Sequence, residues 1–141
     1  MQDLTLDPNL RLLAGLIYRA LSGESKEDVL GEGHSFHGEA KIMMIANGEY
    51  QQKAIKEIRG SGYVVESLEA ALWCFLHTDT FEASILKAAN LGDDADTTAA
   101  ICGQVAGAHY GESGIPTKWL ERLTMRQQIS TLADLLFEAN R

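Results

Sequence analysis

Between Gly92 and Tyr110 the chain changes character abruptly. The segment Gly92-Asp93-Asp94-Ala95-Asp96-Thr97-Thr98-Ala99-Ala100 packs three carboxylates and two hydroxyls into a short stretch, and small apolar residues follow. Thr97 to Tyr110 reads as a helix, so an acidic turn must feed directly into a closely packed helical element. Clustered carboxylates repel one another unless something positive lies among them. The first-turn N–H groups of the following helix are one source of positive character; a hard divalent cation such as Mg2+ or Mn2+, which takes oxygen ligands, is another. Asp94 and Asp96 are two apart and so do not share a helical face. They converge only in an irregular turn, with Asp96 at or near the N-cap and Thr97 in the first turn. A well-capped helix is the competing explanation, although one Asp suffices for a cap.

The rest of the chain carries helical periodicity and no convincing period-two alternation. Asp7-Pro8 has the form of a cap followed by a first-turn proline, and Leu10, Leu13, Ala14, Ile17 and Leu21 mark an apolar face that ends near Ser22-Gly23. Ser25 followed by Asp28 signals a second start. Gly31 to Gly38 reads as a loop, Glu39 to Ala46 as a short helix, and Gln52 to Arg59 as another that stops at Gly60. Val65, Leu68, Leu72 and Phe75 form one stripe; Phe81, Ile85 and Ala88 form the next, with Thr78, Asp79 and Thr80 between them as caps. Gly103 and Gly107 lie four apart, which predicts that another backbone packs close. Met125, Ile129, Leu132 and Leu136 predict a last amphipathic helix. The expected fold is all-α, a compact orthogonal helical bundle, and no linker or repeat divides residues 1–141, so one domain is expected.

Composition narrows the classes. The 141 residues suffice for a core without disulfides or a structural metal, and 45% hydrophobic with 23% charged residues is an ordinary globular balance. No apolar run reaches membrane-spanning length, and no signal pattern opens the chain. The net charge of −8 argues against nucleic-acid binding, since no basic surface displaces phosphate counterions. Cys74 and Cys102 lack metal-ligand spacing and read as buried reduced thiols, which suits the cytoplasm.

Two further groups of residues carry possible chemistry. Gly60-Ser61-Gly62 before a helix reads either as a helix end with a turn or as an anion cradle, in which glycines permit positive φ and close approach. Tyr63 supplies a flat ring suited to stacking on a ribose or base, or simply to packing. Glu66 and Glu69 fit the dipole of the next helix and are left out of the site. His34 and His37 sit among glycines without further ligands nearby, so a zinc site is not expected; His77 and His109 fall near helix C-termini, where a structural role is expected.

Ala89 to Gly103, followed by Gly107-Ala108-His109-Tyr110-Gly111 and Ile115-Pro116, resembles the C-terminal signature of the ADP-ribosylglycohydrolase family. Gly60 to Trp73 is similar to the family's other downstream motif, in the same order and at comparable spacing. The resemblance covers most of the chain and is weakest before about residue 55. It implies that the chain is the C-terminal half of a larger all-helical domain. It also implies a pair of Mg2+ or Mn2+ ions and hydrolysis of the glycosidic bond between ADP-ribose and an acceptor, commonly an arginine side chain on a protein.

Carried over residue by residue, the resemblance makes Asp94, Asp96 and Thr97 metal ligands, with Asp93 supporting them from behind, and sets Gly60, Ser61, Gly62 and Tyr63 beside the ADP-ribose. The family's remaining ligands lie in an upstream motif this chain lacks, so its catalytic residues are not assigned here. Where the family often carries Thr-His before a proline, this chain has Thr5-Leu6-Asp7-Pro8, so an imidazole is lost at Leu6. Three readings follow: part of a hydrolase that needs an N-terminal fragment; a degenerate ADP-ribose-binding remnant; or a helical interaction module whose acidic turn is only a cap. Uncovered apolar faces predict self-association or partial disorder.

Overall fold

The structure is a computed structural model and describes residues 7–31 and 38–141. His34, His37, Thr5, Leu6 and most of the expected Gly31–Gly38 loop lie outside them. All regular structure among the described residues is helical, as expected.

Helix α1 spans Pro8–Leu21, and its start is the one read from the sequence: Asp7 accepts a 2.8 Å hydrogen bond from the Asn9 N–H, and Pro8 presets the first turn. Its buried face differs from expectation. Leu12, Leu16 and Ala20 are buried and Leu13 and Ile17 pack partly, whereas Leu10 and Leu21 are 56% and 70% exposed. Two neighbouring rows of this helix are apolar, and periodicity cannot choose between them; packing on the helix after the acidic turn does.

Helix α2, Lys26–Val29, is capped by Ser25, whose hydroxyl accepts from the Asp28 N–H and donates to its carboxylate. Helix α3 covers Ala40–Ala46, one residue short of the expected start. The expected helix over 52–59 is absent, and short 3-10 turns at Glu49–Gln52 and Ile55–Glu57 take its place. One tertiary and one local partner take groups a helix would use there. The Lys53 carbonyl accepts from the Trp73 indole N–H at 2.9 Å, and the Glu57 carboxylate folds back onto the Ala54 N–H at 2.7 Å.

Helix α4, Val64–Leu76, is the hub. Its stripe Val65, Leu68, Leu72, Phe75 is buried, but so are Ser67, Ala70, Ala71, Trp73 and Cys74, so it is enclosed nearly all round. Helix α5, Phe81–Ala89, is capped by Thr80, whose hydroxyl accepts from the Ala83 N–H. Helix α6, Ala95–Tyr110, packs against α4, α5 and α1. Gly103 and Gly107 do open a close approach, but to side chains rather than backbone: a Cβ at Gly103 would lie 3.4 Å from Ile85, and one at Gly107 3.8 Å from the Phe81 ring.

Lys26 fastens this assembly. Its ammonium donates to the Phe75 and Thr78 carbonyls at the end of α4 and to the Tyr110 hydroxyl, with the Phe75 ring 4.5 Å away. It thereby satisfies carbonyls that a helix C-terminus leaves without partners. Cys74 and Cys102 are buried free thiols. Helix α7, Thr117–Arg122, and helix α8, Arg126–Ala139, extend from the far end of α6, and α8 buries no residue. No helix among the described residues is long and apolar enough to cross a membrane.

Candidate functional site

The acidic turn and the Gly60–Tyr63 loop, well separated in sequence, form one structure. Gly92 and Asp93 both adopt positive φ, 83° and 52°. Asp is among the few side-chain-bearing residues that tolerate the left-handed region. This double reversal presents the Asp94 N–H to the Gly60 carbonyl at 2.9 Å. Asp93 is exposed, so its visible contribution is this backbone geometry.

Of the two reasons expected for the glycines of the other loop, close approach and positive φ, the structure uses the first, with protein rather than ligand atoms as the neighbours. Neither glycine has positive φ. A Cβ on Gly60 would sit 2.7 Å from the Thr98 hydroxyl oxygen, and one on Gly62 would meet the Asp94 carboxylate at 3.4 Å. Thr98 is fully buried in the first turn of α6, and its hydroxyl has no hydrogen-bond partner. Its part in joining the two loops carries no motif signal, because only the fold brings residue 98 against residue 60.

Asp94, not Asp96, is the N-cap of α6. The positive φ at Asp93 ends the turn two residues earlier than an N-cap at Asp96 would, which moves Asp96 into the first turn. Unlike Asp7, Ser25 and Thr80, the Asp94 side chain makes no capping bond to the helix backbone. Its Oδ1 instead accepts from the Thr97 hydroxyl at 3.0 Å. The adjacent Asp94 carboxyl, aided by the N–H groups of Thr97 and of Asp96 itself, holds the exposed Asp96 carboxyl below its ordinary value. The turn thus gathers Asp94, Asp96 and Thr97, with Asp94 half-buried and Asp96 and Thr97 exposed. No cluster of three or more His, Cys, Asp or Glu suited to a metal occurs among the described residues. The donor set matches a hard cation in kind but supplies only part of its coordination shell.

On the other side of the loop, Ser61 is used structurally. Its hydroxyl donates to Glu66 and accepts from the Tyr63 N–H at 3.2 Å, while its carbonyl accepts from Ser67. Tyr63 is 51% exposed. The Lys41 ammonium from α3 lies 5.3 Å from its ring centre, a cation–π pairing that sequence reading missed, since no spacing links residue 41 to residue 63. Lys41 also borders a shallow groove of about 210 Å³ with Met44, Lys53, Glu66 and Glu69, where Lys53 pairs with Glu69 at 2.8 Å. His77 stacks on Trp73, and His109 meets Phe75 edge-on; both act in packing, as expected.

The ADP-ribosylglycohydrolase family model matches residues 10–141. The chain belongs to that family. It is 45% identical to the ADP-ribosylarginine hydrolase Tri1 of Serratia proteamaculans over 90% of its own length, and 47% identical to the protein of that name from Pseudomonas putida over 91%. A shorter match, 41% identity over 48% of the chain, joins it to the ADP-ribosyl-[dinitrogen reductase] glycohydrolase of Rhodospirillum rubrum, of which the chain spans 23%. A solved structure described as an ADP-ribosylglycohydrolase-related protein complex superposes with a TM-score of 0.78 at 37% identity, over 89% of this chain and 44% of that one. The chain spans only 34% of the length of each Tri1 relative.

Proposed function

We propose that this chain supplies the downstream part of a metal-dependent hydrolase that cleaves the glycosidic bond between ADP-ribose and a modified acceptor, with arginine on a protein as the acceptor. One observation carries the reading: Asp94, whose side chain makes no capping bond, is brought together with Asp96 at the start of α6, in a turn tied to the Gly60–Tyr63 loop. Asp94, Asp96 and Thr97 would hold Mg2+ or Mn2+. The ion, when bound, supplies Lewis-acid polarisation of ribose oxygens and a more acidic water.

The chain's own residues perform the binding. Gly62 leaves the Asp94 carboxylate approachable, because a side chain there would crowd it. Tyr63 presents an exposed ring for stacking, with the Lys41 cation beside it to favour a pyrophosphate. The names of the relatives at 45% and 47% identity favour arginine as the acceptor.

Three oxygen ligands from one turn bind a six-coordinate cation weakly. The isolated chain should therefore bind Mn2+ with a dissociation constant on the order of a millimolar, and should release no ADP-ribose. Calorimetric titration with Mn2+ and with ADP-ribose tests this. Mn2+ heat that disappears in Asp94→Asn and Asp96→Asn, and Mn2+-dependent release of ADP-ribose from modified arginine once an upstream family fragment is added, would bear it out. Binding of ADP-ribose without turnover in any mixture would instead make the chain a non-catalytic binder. Absence of both affinities would reduce the turn to a helix start.

A further inference from the structure

Glu66 lies in the first turn of α4, where an acid ordinarily serves the helix dipole. Yet α4 has no side-chain cap, and the Glu66 carboxylate accepts from the Ser61 hydroxyl instead. A serine hydroxyl has one proton to give. With that proton given to Glu66, the oxygen accepts from the Tyr63 N–H at 3.2 Å. The loop's carbonyls are held as well: that of Ser61 accepts from the Ser67 hydroxyl, and that of Gly60 from the Asp94 N–H at 2.9 Å. The Ser61 and Gly62 N–H groups make no hydrogen bond among the described residues.

From this chain of bonds we infer that Glu66 is a positioning residue for ADP-ribose. Acting through Ser61, it fixes the Tyr63 backbone, and with it the ring and the two unbonded N–H groups that meet the ligand. Ser61, which the motif makes a ligand contact, becomes the link between Glu66 and Tyr63. Charge argues for the same role. A carboxylate one bond from the loop repels a pyrophosphate, and no cation among the described residues offsets it, since Lys53 pairs with Glu69 at 2.8 Å. By its charge alone Glu66 would weaken ADP-ribose binding, so what it contributes there is geometry. The inference rests on the hydrolase reading for the identity of the ligand, but it uses none of Asp94, Asp96 and Thr97.

The test is calorimetric titration of the full chain with ADP-ribose, comparing the wild type with Glu66→Ala, Glu66→Gln and Ser61→Ala. Glu66→Ala loses the bond to Ser61 and should bind on the order of tenfold more weakly. The Gln side chain still accepts from Ser61 without the charge, so Glu66→Gln should recover the affinity that Glu66→Ala loses. Ser61→Ala should match Glu66→Ala, and the double variant should be no weaker, because both cut one chain of contacts. Hydrogen exchange at the Tyr63 amide should quicken in both Ala variants and not in Glu66→Gln. Tighter binding by Glu66→Ala overturns the proposal and makes Glu66 a bare charge; additive losses overturn it and make Ser61 a direct ligand contact. A lower thermal midpoint of Glu66→Ala with intact affinity, or unchanged exchange at Tyr63, overturns it in favour of a role in stability alone. A wild type with no affinity for ADP-ribose also overturns it, while the hydrolase reading is judged separately by the Mn2+ heat that depends on Asp94 and Asp96.

Discussion

Helices α4 and α8 are nearly equal in length, and each carries an apolar stripe of similar spacing: Val65, Leu68, Leu72 and Phe75 on one, Ile129, Leu132 and Leu136 on the other. In the fold they are opposites. The α4 stripe is buried on a helix enclosed by α5, α6, α1 and the turn at Glu49–Gln52, whereas α8 buries nothing. Periodicity reports which face of a helix requires a partner. Whether the partner belongs to the same piece of chain is a separate matter, decided by what the neighbouring sequence can reach.

The contrast is broken most directly by truncation. Phe75→Ala removes a fully buried ring at the centre of the hub and should cost about 3–5 kcal/mol in urea unfolding. Leu132→Ala on the isolated chain should stay within about 0.5 kcal/mol. A loss at Leu132 that approaches the Phe75 value would mean α8 is covered in solution, and the distinction between the two helices would fail.

Much of this was legible in the residues. Asp7-Pro8, Ser25 and Thr80 have the side chains that starts of α1, α2 and α5 require, and those bonds form. The errors share one cause, competition from outside the segment. The choice between two apolar rows on α1 was made by α6. The helix expected over 52–59 lost its Lys53 carbonyl to Trp73, twenty residues away. The acidic turn was read as a unit, but its exact start depended on the positive φ at Asp93 and the bond from Asp94 to Gly60, neither of which has a local signature. For the same reason the site's residue types were readable, while Thr98 behind Gly60 and Lys41 over Tyr63 were not.

The ends of α4 sharpen the comparison further. Its C-terminal carbonyls are met by a part-buried cation, Lys26, whereas α8 is tied to the body by the exposed Arg126–Glu112 ion pair at 3.2 Å. Lys26→Met keeps the apolar stem and removes the donor, leaving the Phe75 and Thr78 carbonyls only the long 3.4 Å bonds from the Thr78 and Tyr110 hydroxyls. Charge-assisted bonds of this kind set the expected loss at about 2–3 kcal/mol. Native-state hydrogen exchange should show faster opening of the last turn of α4, with α8 unchanged. A global loss below about 0.5 kcal/mol would show that water replaces the ammonium without penalty.

At the other end of the hub, Gly60 meets Thr98. Gly60→Ala should destabilise by about 1–3 kcal/mol, because its Cβ would press on the Thr98 hydroxyl in a filled space. Thr98→Ala clears that space, so the double variant should recover part of the loss, with an interaction energy of about 1 kcal/mol in a double-mutant cycle. Strictly additive effects would mean that the loop shifts away and that the two motifs are not locked together by this contact.

The smallest expected effect is a pH slope, and it belongs to the packed region alone. Burial, then the nearby Lys26 charge, hold His109 below its ordinary value of 6.5, with Glu27 opposing. The unfolded chain protonates this imidazole near the ordinary value, so between the two values the unfolded state binds more protons. Stability from this group is therefore complete above about pH 6.5 and declines as pH falls below it. Asp7, whose bonds to the Asn9 side chain and N–H lower its carboxyl, acts in the same sense but only through the carboxylate range. Urea midpoints at pH 7.5 and 5.5 isolate the histidine: the wild type should lose stability over that interval, and His109→Gln should lose less. Equal slopes would place His109 in a solvent-like setting, and the end of α6 beside Lys26 would then be as open as α8.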